Sequence, residues 1–286
     1  LDRYLSGAES MVPYVEVPFR GVNPAFRFTE APASFRNPDL TWRSDQIFEP
    51  GELAVCSDVP AWWHVKKKHA LYYTGAGRGD FAKQIQQITV VGVEDTAQAE
   101  RINAGMRDLL AFMYTIEPPR YPGEVDRALA AVGRGVFEQN CATCHGTYGA
   151  EWTYPNKIIP LEKIGTDPWY ARMAVASPLS QWYNESWFGT GEASSSHEPR
   201  LGYVAPPLDG IWATAPYLHN GSVPDLVGLL DSSQRPTFWR RSFSSYDYDL
   251  ERVGWEYTEE SRARDKQTYD TTRRGYGNMG HTFGDD

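Results

Sequence analysis

Cys141, Ala142, Thr143, Cys144 and His145 form a C-x-x-C-H run. That grammar is the attachment signature of a c-type haem. The two thiols add across the haem vinyl groups and tether the macrocycle. The two-residue spacer holds them on one short helical turn. The histidine follows directly, so its imidazole reaches the iron from the proximal side. A structural zinc site would need a second ligand pair, and the one other cysteine, Cys56, stands alone. A redox-active dithiol would open a helix after a strand and would need no histidine. Here a helical pattern runs into the motif instead.

That helix is legible in the residues. Val125, Leu129, Val132 and Val136 recur at helical spacing, with Phe137 beside the last. Pro122-Gly123 punctuates its start and Asp126 suits its first turn. Gly133, Phe137 and Cys141 are spaced by four and lie near one face. This Gly-x3-Phe-x3-Cys lead-in resembles the N-terminal helix of class I cytochromes c. In that family the glycine lets another helix pack closely and the phenylalanine lies near the haem.

Composition narrows the rest. The chain has 286 residues, which by length reads as about two domains. Its net charge is −9 with no basic stripe, which argues against nucleic acid as a partner. No apolar run reaches ~18 residues, so no membrane span is expected. Leu1 carries no leader pattern and is not expected to be the gene's start. Ten tryptophans, 25 glycines and 20 prolines describe a loop-rich globular chain with large rings packed around something. Two of the three cysteines belong to the motif, so no disulfide framework is expected, and Cys56 has no assigned role. Haem c is attached outside the bacterial cytoplasm, so the expected location is the periplasm or the cell exterior.

The expected fold class is mainly α with long irregular loops, built on cytochrome c-like haem domains. Residues 1–60 read as extended loops that wrap a core. Residues 80–91 read as a short helix or strand, and 96–116 as a firm helix ended by Pro118-Pro119. A short helix is expected near Asp167–Ala176 and one or two helical turns over 224–231, entered at Pro224. Residues 232–286 read as irregular. The domain division expected is 1–120, a wrapping segment with the remainder of a first cytochrome-like domain, and 121–286, a C-terminal cytochrome c domain.

Several separated segments resemble the bacterial di-haem cytochrome c peroxidase superfamily. They are DLLAFMYTIEPPRYPGEVDRALAAVGRGVFEQNCATCHGTYG (Asp108–Gly149), PPLDGIWATAPYLHNGSVPDLVGLL (Pro206–Leu230) and YGNMGHTFG (Tyr276–Gly284). The branch is that of the rubber-oxygenase-like c-type cytochromes, which VPAWWHVKKKHALYYTGAGRGDFA (Val59–Ala82) also resembles. The resemblance spans residues 55–284. It implies two cytochrome c-like domains with one haem each, yet this chain has one C-x-x-C-H. The helix at 96–116 looks like the closing helix of a first domain whose haem motif would lie upstream. The expectation is an incomplete chain, with a single-haem descendant as the alternative. One haem c is covalent here, and a second belongs to any missing upstream segment.

The resemblance also bears on the distal ligand. Peroxidase members place a methionine beyond the Pro-Tyr-x-His segment; the matching position is Ser233. In the rubber-oxygenase branch a late histidine serves, and His281 matches it. Met279 is the local competitor, and His219 is next. His219, in TAPYLHNGS, resembles a residue beside the haem propionates, where an imidazole N–H donates to carboxylate. Trp212 and Tyr217 are then pocket walls, or ordinary core aromatics. Trp62, Trp63, His64 and Lys66–Lys68 read either as an inter-domain core with a solvated lysine face or as a tunnelling aromatic between two haems with side chains lining a first-haem pocket, His69 being a candidate distal residue there. Gly75, Gly77 and Gly79 lack the Gly-Lys-Ser/Thr that a phosphate loop needs, which excludes nucleotide binding.

Two functions compete. One is electron transfer through a six-coordinate haem c, as half of a di-haem peroxidase- or oxygenase-like oxidoreductase, with a redox protein or another haem domain as partner. The other is a non-catalytic subunit of a larger cytochrome assembly. Covalent attachment is common to both. Cys144→Ala should lower haem retention under denaturing conditions, read by haem-stained gel and intact mass. Wild-type protein without a haem-dependent mass would contradict the motif reading.

Overall fold

The fold comes from a computed structural model that describes residues 2–244 and 246–285; positions 1, 245 and 286 lie outside them. Helices α1 (Asp2–Met11) and α2 (Ala25–Ala33) occupy the N-terminal stretch. Residues 1–60 are therefore not loops throughout. α2 carries Arg27 and Glu30 one turn apart, both buried and ion-paired with each other. A buried charge pair inside a proline-containing helix has no apolar periodicity to announce it.

The middle of the chain is helical and capped by aspartates. Asp80 accepts from Ala82 N at 2.8 Å and Lys83 N at 3.2 Å, opening α3 (Phe81–Gln86). A 3-10 turn over Gln87–Val91 follows, so 80–91 is helical. Asp95 accepts from Gln98 N at 2.8 Å and starts α4 (Thr96–Thr115), the longest helix described. Asp126 accepts from Ala128 N and Leu129 N and starts α5 (Arg127–Asn140), which runs into α6 (Ala142–His145). Beyond it the helices are short: α7 (Leu161–Ile164), α8 (Trp169–Ala176), α9 (Leu179–Glu185) and α10 (Leu226–Leu230).

Strands fill the space between. β1 (Gly77–Gly79) pairs antiparallel with β3 (Ser195–His197), and β2 (Ile158–Pro160) with β4 (Gly202–Val204). β5 (Phe238–Arg241) lies between β8 (Tyr257–Glu259) and β9 (Tyr269–Asp270), while β6 (Tyr248–Asp249) pairs with β7 (Gly254–Trp255). Helix makes up 38% and strand 12% of the chain, so the mainly-α expectation is overturned. The reason is local. Strands of two to four residues are too short to show a countable alternation, so 232–286 reads as irregular although it holds a three-stranded sheet.

The core is aromatic. Trp182, Tyr183, Trp187 and Phe188 pack with Leu40, Val90 and Ala99. A second group joins Phe19, Cys56, Trp239, Tyr269 and Tyr276 and ties the N-terminal stretch to the C-terminal loop. Trp239 stacks on Tyr269 at 5.0 Å between ring centres, and the Tyr276 hydroxyl donates to the Ala54 carbonyl at 2.7 Å. Cys56 is buried here with its Sγ 3.2 Å from the Tyr276 hydroxyl, and burial pushes its thiol up to about 11. It is a packing residue at neutral pH.

α9 and β3 meet at His197, which is 3% exposed. Its Nδ1 is hydrogen-bonded to Ser180 Oγ at 2.9 Å, and its backbone N–H donates to Asn184 Oδ1 at 2.8 Å. Burial lowers its pKa to about 4. The unfolded chain therefore binds this proton between pH ~6.5 and ~4 while the folded chain does not, so stability falls as pH drops through that window. Each unit of pKa difference is worth about 1.4 kcal/mol. Asp58, raised to about 7 by burial, acts with the opposite sign, so the informative quantity is a difference between proteins. His197→Gln should lose less melting temperature than wild type between pH 7 and pH 4.5. Equal losses in a thermal melt would contradict this assignment.

Candidate functional site: two facing imidazoles beside the C-x-x-C-H turn

The motif residues form one continuous turn. His145 N and Cys144 N both donate to the Cys141 carbonyl at 3.0 Å, closing a helical turn that ends at Gly146. Gly146 has φ +81°, and a Cβ there would collide with the Thr153 carbonyl, so only glycine permits the exit. His145 Nδ1 lies 2.8 Å from the Pro206 carbonyl. A carbonyl can only accept, so Nδ1 carries the hydrogen and Nε2 is left as the free donor atom of the ring. Tyr148 reinforces this: its hydroxyl donates to the His145 carbonyl at 3.0 Å and accepts from Leu208 N at 2.7 Å. Phe137 packs edge-on against Tyr148 at 5.8 Å. Lys157 Nζ donates to the Thr143 carbonyl at 2.6 Å.

The C-terminal loop brings His281 to His145. The ring centres are 6.3 Å apart with planes at 66°. Two imidazoles that each give one nitrogen to a metal lying between them, at about 2.0–2.1 Å, place their ring centres roughly 6 Å apart. The observed gap matches that span. Burial, and then the neighbouring His145, lower the His281 pKa to about 4; burial also lowers that of His145. Both rings are thus neutral at physiological pH, the form in which imidazole binds metal. His281 Nδ1 is buried without a hydrogen-bond partner among the described residues. Two thiols on one turn, two neutral opposed imidazoles and an unpartnered ring nitrogen fit a haem c. Cys141, Cys144, His145 and His281 would hold it.

The loop that carries His281 is heavily tied down. Asp167 Oδ2 accepts from Gly275 N at 3.2 Å and Gly277 N at 3.1 Å, while its Oδ1 accepts from Trp169 N at 2.9 Å. Asn220 Nδ2 and Ser222 Oγ donate to the Gly277 carbonyl at 2.9 and 3.1 Å. His281 N donates to the Ile164 carbonyl at 2.8 Å. Asp167, Asn220, Ser222 and Pro206 were not legible as site residues. Their partners are backbone groups remote in sequence, and no local pattern marks such a contact.

The other expected residues have their own contacts. Met279 is 52% exposed, and its sulfur folds back over Gly277 within its own loop. His219 is buried and stacks on Tyr203 at 3.9 Å, near Tyr73 and Tyr170, with Nε2 unpartnered among the described residues. Trp212 donates from Nε1 to the Pro119 carbonyl at 2.9 Å and packs against Tyr121 and Tyr248. Tyr217 is buried with its hydroxyl donating to the Val253 carbonyl at 2.9 Å. Trp63 Nε1 and His64 Nε2 both reach the Asp209 carbonyl, at 2.7 and 2.8 Å, and Lys67 Nζ pairs with the Asp209 carboxylate at 2.7 Å. His69 is exposed. The α5 stripe is uncovered among the described residues; Leu129 is 69% exposed.

Comparison with known proteins bears on this site. Residues 202–240 match the family model described as RoxA-like, cytochrome c-like. This match carries a c-type cytochrome role and haem c as the implied cofactor. It includes Pro206 and lies wholly between the site's two imidazoles in sequence. The chain is 29% identical over 252 residues to an uncharacterized protein of Sinorhizobium fredii, y4iM, covering 77% of this chain and 54% of that protein. A second uncharacterized protein of that organism, y4iJ, is 31% identical over 255 residues, covering 69% of this chain and 42% of that protein. The chain spans about half the length of the curated relatives it matches.

Asp167 satisfies three backbone donors in a buried setting, and its removal leaves them without acceptors. Asp167→Ala should destabilise the fold by about 2–4 kcal/mol, at about 1–3 kcal/mol for each buried unsatisfied group and with partial relaxation. Urea denaturation measures this; a loss under about 1 kcal/mol would show that the loop does not depend on Asp167.

Proposed function

We propose that the chain carries electrons through a six-coordinate haem c, tethered by Cys141 and Cys144 and ligated by His145 and His281. The observation that carries this reading is the 6.3 Å opposition of the two imidazoles beside the C-x-x-C-H turn. Bound haem supplies one-electron redox chemistry at its iron. The chain's own residues set the conditions. The Pro206 carbonyl fixes the His145 tautomer and ring orientation and makes the ligand more basic. His281 would hold the iron together with His145, which would leave no open site for water or peroxide. An imidazole there, in place of the methionine that raises potential in cytochromes c, favours a lower potential and a donor role.

The same reading extends to the whole protein. Residues 121–286 form the haem domain, and residues 1–120 complete or wrap another cytochrome-like domain. The bonds of Trp63, His64 and Lys67 to Asp209, which join the N-terminal part to the 206–209 segment behind His145, support its wrapping role. The activity we assign is the electron-transfer half of a di-haem peroxidase- or oxygenase-like oxidoreductase, located in the periplasm or outside the cell. Its partner is a redox protein or a second haem domain.

His281→Ala should convert a low-spin ferric spectrum to a high-spin one, while Met279→Ala leaves it unchanged. A spectrum that stays low-spin in His281→Ala and shifts in Met279→Ala would make Met279 the ligand.

A further inference from the structure

The backbone conformation at His281 needs support. Its φ is +48° and that of Gly280 is +73°. Left-handed backbone at a non-glycine residue is uncommon and persists where the surroundings over-determine it. A Cβ at Gly280 would collide with the Gly165–Thr166 peptide, so the segment passes tightly against that turn. One side chain addresses this segment directly. Arg235 donates from Nη1 to the carbonyls of Asn278 at 2.7 Å and Gly280 at 2.6 Å, and from Nη2 to that of His281 at 3.1 Å. It also donates from Nε to the Gly228 carbonyl at 2.7 Å and from Nη2 to the Leu229 carbonyl at 3.2 Å.

A guanidinium has five N–H donors, and here they meet five backbone carbonyls. Three belong to the segment that carries His281 and two to α10. Arg235 makes no ion pair within 4.0 Å among the described residues; Asp285 and Asp231 act on it only from farther off, and its hydrogen bonds go to backbone oxygens. Carbonyls that point inward to a common cation cannot rotate without losing charge-assisted bonds. The planar fork fixes their relative directions, which a point charge would not.

We propose that Arg235 is a positioning residue for the axial ligand. It holds residues 278–281 in the left-handed path that presents His281, and not the half-exposed Met279, to His145. This rests on His281 being the ligand. It adds that ligand choice and residence are set from α10, through a residue that touches neither ring.

The probe is carbon monoxide, which binds reduced six-coordinate haem only when an axial ligand leaves. Binding rates are measured on haem-loaded wild type, Arg235→Leu, Arg235→Lys and His281→Ala, with haem content and thermal melts as folding controls. Arg235→Leu should bind CO at least tenfold faster than wild type at equal haem content, and its ferric spectrum should gain a high-spin fraction. Arg235→Lys keeps the charge but has three donors for five carbonyls, and should fall between, at least threefold faster than wild type. A rate within twofold of wild type in Arg235→Leu overturns the proposal; if that variant does not fold, the same result in Arg235→Lys overturns it. An unchanged spectrum and rate in His281→Ala would instead overturn the ligand assignment beneath it.

Discussion

Two neutral, part-buried imidazoles held 6.3 Å apart are the constraint on which the C-terminal half depends. Neither ring reaches that place by its own preference. His145 is delivered by a helical turn, and the Pro206 carbonyl then fixes its rotation. His281 is delivered by a loop whose backbone is left-handed at two successive residues. Burial disfavours protonation of either ring, and His145 further disfavours a charge on His281. Both rings are therefore neutral over the physiological pH range, the form in which a ring nitrogen can bind metal.

Holding the second imidazole is the larger structural task. The 275–281 loop is secured by a carboxylate that takes its amides, an amide and a hydroxyl that take the Gly277 carbonyl, and a guanidinium that gathers its later carbonyls. Each tie is modest alone, about 1 kcal/mol for a neutral hydrogen bond and more where a charge takes part. Together they leave the loop few alternatives. Tyr276 links this loop to Phe19 and Ala54, so the N-terminal stretch also braces it. On the other side the 206–209 segment joins His145 to Trp63, His64 and Lys67. The two imidazoles are thus supported through different parts of the chain.

The C-x-x-C-H part of the candidate site was legible because its grammar is local: five consecutive residues, preceded by a capped amphipathic helix. The helices at 96–116 and 167–176 were legible for the same reason, and the structure gives Thr96–Thr115 and Trp169–Ala176. His281 came from resemblance, not from spacing. What could not be read were contacts between remote backbone groups and single side chains. Asp167 meets Gly275 and Gly277 across 108 and 110 residues, and Arg235 meets Asn278, Gly280 and His281 across 43, 45 and 46. The small sheets escaped because strands of two to four residues carry no period, and α1 and α2 because charge and proline interrupt theirs.

The central claim is the identity of the two axial donors, and low-temperature electron paramagnetic resonance of the oxidised, haem-loaded protein tests it most directly. The account requires a low-spin ferric signal of the bis-imidazole type, with no high-spin component and no methionine-sulfur charge-transfer band in the matching optical spectrum. A dominant high-spin signal, or the sulfur band, would contradict it.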